Sequence, residues 1–284
     1  MLNIISLQAL RKKSTGPSKV AKNLIKWLEL IWEPYIINWD PTIFKNIYIL
    51  DDENFFRNIK DLPEDCEIIA WPILHRKKNI PEDIADKYKF VYASNWIKNL
   101  WDKYKWHKNS IVRPVWIDTY SYLPSTEKKD QVLVYFKTRY KEELEYCESL
   151  LKEKNIKYNI INYDIWYKES DFINYLKRSK YVIRIWRQET QWIALEEILS
   201  MNIPILLWDV HKVDDWSPNT EYEKNWYEWG EWKEFATSAE YFDERCWIRF
   251  YNKSDLKKNI DKMEELRNYE FSPRNYIIFY IFFF

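Results

Sequence analysis

The chain has 284 residues, with 44 Lys and Arg against 44 Asp and Glu, three His, three Cys, 17 Trp and two Gly. That length holds two compact units of ordinary size. The balanced charge, with no basic run longer than Arg11-Lys12-Lys13 or Arg76-Lys77-Lys78, argues against nucleic acid as a partner.

The apolar start, Met1 to Leu10, has its positive charges behind the apolar run, where a secretory signal would have them in front. It predicts a first strand over Asn3–Leu7. An amphipathic helix follows over Ser18–Ile31 and stops at Trp32, ahead of Glu33-Pro34, where a left-handed cap belongs. Strands are expected at Tyr35–Asn38, Asn46–Leu50, Glu67–Ala70, Phe90–Ala93 and Ser110–Val112, with helices at Asp52–Ile59, Pro81–Lys87 and Asn95–Tyr104. This alternation is the signature of parallel βαβ construction. Pro114 to Pro124 and the charged stretch Ser125 to Asp130 interrupt it, so the chain divides into an N-terminal unit, 1–120, and a C-terminal unit, 121–284.

The second half restarts the pattern with strands at Val132–Phe136, Lys157–Ile161, Tyr181–Ile185 and Ile205–Trp208, and helices at Lys141–Lys154, Glu169–Arg178 and Ile193–Ser200. His211 to Trp232 reads as a long surface loop and Lys253–Arg267 as a helix. Asp243-Glu244-Arg245 reads as an ion-pair network, and His107 as a helix-end residue. From about 270 the chain is expected to cross back toward the first unit. Tyr276 to Phe284 is apolar but too short for the ~20 residues of a membrane span. It is expected to pack on the body as a helix or strand, or to touch a membrane surface peripherally. Cys66, Cys147 and Cys246 lack the count and spacing of a disulfide framework or zinc site, which fits a reducing cytosol.

The deficit of Gly is the oddest feature, since a soluble chain of this size usually has roughly twenty. Several Trp stand where backbone geometry favours Gly. The expectation is that UGA, written here as Trp, is read as Gly in the source organism at Trp27, Trp32, Trp71, Trp106, Trp116, Trp186, Trp192 and Trp247, whereas Trp101 and Trp208 are genuine. The alternative is a non-catalytic, Trp-rich carbohydrate-binding protein.

The most specific segment runs from Ile183 to Asp209. A strand ends near Ile185, a loop carries Glu189, and a helix begins near Trp192. Free N–H groups and the dipole at such a helix start suit an anionic diphosphate, but the approach needs a residue without a side chain at 192. Asn202, just before Pro204, suits a left-handed cap.

This segment resembles the donor-binding signature of retaining glycosyltransferases of the GT-B fold, particularly glycosyltransferase family 4. Glu189 and Glu197 match its Glu-x7-Glu motif. Ser14-Thr-Gly16-Pro17-Ser18 resembles its first loop, and Pro114-Val-Trp116-Ile-Asp118 its Pro-x-Gly-x-Asp segment, with Trp for Gly. The resemblance implies an α/β GT-B fold of two Rossmann-like domains facing a cleft. The donor, a nucleotide-sugar, would bind the second domain and a glycan, lipid or protein acceptor the first, and the sugar would be transferred with retention. Glu197 would bond the ribose hydroxyls, and Glu189 a hydroxyl of the transferred sugar. Gln191, Trp192 (as Gly), Ile193 and Ala194 would line the donor, with Gly16 facing the cleft. Lys137 and Arg139 would neutralise the leaving diphosphate, although their order departs from the family pattern. His75 is a further candidate from the first domain. No metal and no cofactor are expected. A sugar-nucleotide epimerase of the same architecture is a rival, weakened by the scarcity of His.

Overall fold

The computed structural model describes residues 1–10, 15–51, 55, 62–71, 88–103, 110–137, 139–163, 165, 167–189, 193–211, 235–238, 240–241, 243–266 and 271–283, without the side chains of 100, 101, 103 and 280–283. His75, Trp106, His107, Gln191, Trp192, the predicted helix Pro81–Lys87, most of Asp52–Ile59 and nearly all of the predicted loop His211–Trp232 lie outside the described residues. The chain forms two compact units, one holding Met1–Asp118 and the other Thr119–Glu189 with Ala194–Phe283.

The first unit is built on β1 (Leu2–Ile5), β2 (Tyr35–Ile37), β3 (Asn46–Ile49), β4 (Glu67–Ala70), β5 (Tyr88–Tyr92) and β6 (Ser110–Val112), with α1 (Gly16–Leu30) and α2 (Asn95–Lys103) as described helices. The six strands are parallel in the order β2-β1-β3-β4-β5-β6. Ile4, Val20, Ala21, Leu28, Leu50, Val91 and Ala93 pack into its core. The order reverses beside β1, and the loop leaving that strand is tied down by Asp51, which accepts from the Leu7 amide at 2.6 Å, the Ser6 hydroxyl at 3.1 Å and the Gln8 amide at 3.2 Å.

The second unit runs β7 (Gln131–Lys137), α3 (Lys141–Glu153), β8 (Tyr158–Asn162), α4 (Glu169–Arg178), β9 (Ser179–Trp186), α5 (Ile193–Ser200), β10 (Ile205–Trp208), β11 (Trp247–Phe250), α6 (Asp255–Leu266) and α7 (Pro273–Phe283), with only Ile193 outside it. Its sheet is parallel in the order β11-β10-β9-β7-β8. β7, β9 and β10 are buried along nearly their whole length, as strands covered on both faces must be, and so they read as apolar runs. One face presents Val132, Val134, Phe136, Tyr181, Ile183 and Ile185 to a core shared with α3 and α6. β11 is a strand that the sequence reading did not anticipate; it is short, only half buried, and defined by its pairing with β10. Just before it, Arg245 does grip Asp243 at 2.7 and 2.8 Å. The start of α7 is fastened to this unit, with Arg274 donating to the Ser200 carbonyl and Tyr276 to the Tyr241 carbonyl. Among the described residues no helix is long and apolar enough to cross a membrane.

Three helices end alike. After α1, α3 and α5 stand Trp32, Asn155 and Asn202 with φ of 59°, 52° and 57°. Each donates its amide back to the helix, as does the next residue: Trp32 to Glu29 and Glu33 to Leu28, Asn155 to Lys152 and Ile156 to Leu151, Asn202 to Leu199 and Ile203 to Ile198. These are Schellman caps, whose left-handed residue is ordinarily Gly or Asn. At Trp32 the expected left-handed cap is present and its indole is 91% exposed. Among the described residues no other Trp has positive φ, so backbone geometry singles out Trp32 alone.

Candidate active site

In doubly wound parallel sheets, ligand sites form beyond the C-terminal ends of the strands, where the strand order reverses. In the second unit that point lies between β7 and β9, where Lys137 and Trp186 stand opposite each other in register. Side chains alternate along a strand, which places Tyr135 and Lys137 with Arg184 and Trp186 on the face opposite the apolar core.

The Lys137 ammonium is 3.4 Å from Glu189 Oε2 and 4.2 Å from the ring centroids of both Tyr163 and Trp186. Burial lowers its pKa; Glu189 opposes the shift, while Arg187 and Arg184 add to it. The Arg184 guanidinium lies 4.4 Å from the Trp186 ring and donates to the Ser238 carbonyl at 2.9 Å. Burial brings its pKa down to about 10 against the pull of Glu189 and Asp209. The Tyr135 and Trp186 rings meet edge to face at 5.0 Å.

Asp209, at the end of β10, holds the neighbouring segment in place. Its carboxylate accepts from the Val210 amide, the Thr237 hydroxyl, and the amide and hydroxyl of Ser238 at 2.6–2.8 Å. Thr237 in turn accepts the Glu189 amide at 3.3 Å. Asp209 thereby fixes the carbonyls that orient both Glu189 and Arg184.

Of the expected site residues, Lys137 and Glu189 are brought together. Arg139 is engaged elsewhere: it forks onto Glu143 at 2.8 and 2.5 Å and donates to the Trp186 carbonyl at 3.1 Å. Glu197 is buried on α5, where its charge, after burial itself, pushes up the Tyr122 phenol. Its neighbour Glu196 is also buried, and burial first, then Glu197, raises its pKa well above the carboxylate range. Ile193 and Ala194 open α5 as expected. Gly16 begins α1 behind a capping box between Thr15 and Ser18, and a Cβ there would meet nothing within 4 Å. Asp118 pairs with Lys26 at 2.5 Å. Among the described residues no group of three or more His, Cys, Asp or Glu gathers to hold a metal.

Arg184 was missed in the sequence. Its signal was available: an Arg inside the apolar run Tyr181 to Ile185, two residues from Trp186. Burying such a charge is costly unless it is paired.

No family model and no curated protein sequence matches the chain. Solved structures do. Sucrose-phosphate synthase from Thermosynechococcus elongatus aligns with TM-score 0.55 and 7% identity over 97% of this chain and 93% of that one. TarM aligns with TM-score 0.52 and 12% identity over 92% of this chain. The fold is GT-B. A TarM variant from S. aureus in complex with Fondaparinux, alpha-GlcNAc-glycerol and UDP matches at TM-score 0.51 and 12% identity, covering 91% of this chain and 54% of its own. The chain thus spans about half the length of TarM, 54%.

Proposed function

We propose that this GT-B chain is a glycosyltransferase that moves a sugar from a nucleotide-sugar to a glycan, lipid or protein acceptor with retention of configuration, the donor binding the second unit. The observation that carries the reading is the meeting of Lys137 and Glu189 at the switch point of that unit's sheet. As the glycosidic bond to the leaving diphosphate breaks, negative charge grows on the phosphate oxygens, and a fixed cation stabilises it without reorganising at that moment. Lys137 supplies that charge. Glu189, held by Lys137 through its side chain and by Thr237 through its amide, is placed to accept a hydrogen bond from a hydroxyl of the transferred sugar. Glu197 takes the ribose hydroxyls, and the amides at the start of α5 meet the donor. Retention rests on the likeness of Glu189 and Glu197 to the family 4 motif.

Titration calorimetry with UDP as probe tests the reading, on protein carrying Gly at 186 and 192. Binding that weakens in Glu197→Ala supports it; absence of binding by the folded protein overturns it. Turnover is expected to survive EDTA, because the chain's own cations take the diphosphate role. The carbohydrate-platform reading needs exposed tryptophans; among the described residues Trp32 and Trp39 are exposed, whereas Trp71, Trp96, Trp186, Trp208 and Trp247 are buried.

A further inference from the structure

The Trp186 indole is buried with its polar edge unmatched, although Lys137 and Arg184 make favourable cation–π contacts with its ring. Its Nε1–H is buried with no hydrogen-bond partner among the described residues, an arrangement that forfeits the full desolvation cost of a donor. Around its ring stand Lys137 and Arg184, each within 4.4 Å of the centroid. Glu189 acts on both Lys137 and Arg184, Arg187 and Arg184 act on Lys137, and Asp209 acts on Arg184. Lys137 and Arg184 meet at the reversal of the sheet, where an anionic ligand is otherwise expected.

We propose that the Trp186 side chain occupies a phosphate site, with Lys137 and Arg184 as its cationic walls, and that the residue at 186 decides whether this site is open. A glycine there removes the whole indole from between the two cations and leaves the backbone carbonyl, which Arg139 already holds, in place. Tyr135 and Tyr163 then form the aromatic sides of the opening. The ligand class is an inorganic or esterified phosphate or diphosphate; the identification with the donor's diphosphate rests on the proposed function, whereas the site itself does not.

The test compares the full chain as written with Trp186→Gly, titrating each with inorganic pyrophosphate. Trp186→Gly is expected to bind it at least about tenfold more tightly, and Lys137→Met in that background to lose about tenfold or more, the scale of hydrogen bonds to charged groups. Trp186→Ala, which removes the ring but keeps a Cβ, carries the same expectation and decides the matter if the glycine variant does not fold. Equal pyrophosphate affinity with and without the indole, or tighter binding indifferent to Lys137→Met, overturns the proposal. If protein carrying Gly at 186 and 192 binds pyrophosphate in a Lys137-dependent way but ignores UDP and other nucleoside diphosphates, the phosphate site stands and the nucleotide-sugar reading falls.

Discussion

Trp186 and Trp208 end neighbouring strands of one sheet, are 5% and 2% exposed, and are held in opposite ways. Trp208 lies on the apolar face with Phe136, Ile185 and Phe250. Its ring is 5.5 Å from that of Phe250, and its Nε1–H donates to the Tyr251 carbonyl at 2.9 Å. Trp186, on the other face, touches two cations and leaves its N–H unanswered. Burial alone makes the two residues equivalent; the accounting of polar groups separates them. Trp71, just past β4, is buried with an orphaned Nε1–H as well. Trp71 and Trp186 stand at positions where the sequence reading expects Gly, and Trp208 where it expects a genuine Trp.

The largest effect should come from deleting the satisfied ring. Trp208→Ala is expected to cost about 3–5 kcal/mol, as core Trp truncations do, in a denaturant titration. Trp186→Gly should cost clearly less, because the groups around its ring are charged and can be solvated by water or an anion. Equal losses would erase the distinction between the two positions.

On the charged side of the comparison, Glu197→Ala in the protein carrying Gly at 186 and 192 should weaken nucleoside diphosphate binding by roughly tenfold to a hundredfold, equivalent to about 1.5–3 kcal/mol. Glu189→Gln should keep that binding and lose most turnover, since its contact matters as charge develops at the sugar. A variant that loses affinity and rate in equal measure would assign Glu189 to ground-state binding only.

Burial sets the Lys137 pKa below its ordinary 10.5. Its folded value therefore lies below its unfolded one, so the folded chain binds fewer protons between the two. The penalty of the buried charge is present in full below the lowered pKa and fades as pH rises toward 10.5. Relative to Lys137→Met, the protein with Lys should thus gain stability over that window, while the pyrophosphate affinity of the Trp186→Gly protein declines as the ammonium is lost. An affinity that stays flat across the window would remove Lys137 from the phosphate site.

The smallest effect belongs to the helix caps. Trp32→Gly should stabilise the chain by about 1 kcal/mol, since a left-handed backbone costs an L residue roughly 1–2 kcal/mol. Asn155→Gly should change much less, because Asn adopts that conformation readily, and Asn202→Gly should destabilise by about 1 kcal/mol, because its side chain also accepts the Arg274 amide at 3.2 Å. A thermal melt ranks the three; a Trp32→Gly variant no more stable than its parent would count against strain at that cap.

The alternation of strands and helices was legible because parallel strands buried on both faces leave apolar runs, and amphipathic helices separate them. β4, β6, α4, α5 and β10 fall on the residues expected. β11 was not legible, since the four residues Trp247-Ile-Arg-Phe are too short a run to show a period and become a strand by pairing with β10. At the site, the nearness of Lys137 to Glu189 could be anticipated only through the resemblance, because 52 residues separate them. The engagement of Arg139 by Glu143 was readable in principle as an i, i+4 pair opening a helix. Asp209 could not be read, because its partners Thr237 and Ser238 lie beyond a long stretch that gives no register.

The central claim is that the second unit hands over a sugar from a nucleotide donor. The direct test incubates the full chain carrying Gly at 186 and 192 with a panel of nucleotide-sugars and candidate acceptors, following released nucleoside diphosphate and the anomeric configuration of the product by NMR. Release from one class of donor, a product of unchanged configuration, and loss of both signals in Glu189→Gln are expected. A folded protein that releases nothing from any donor and binds no nucleoside diphosphate, or one whose product is inverted, would contradict it.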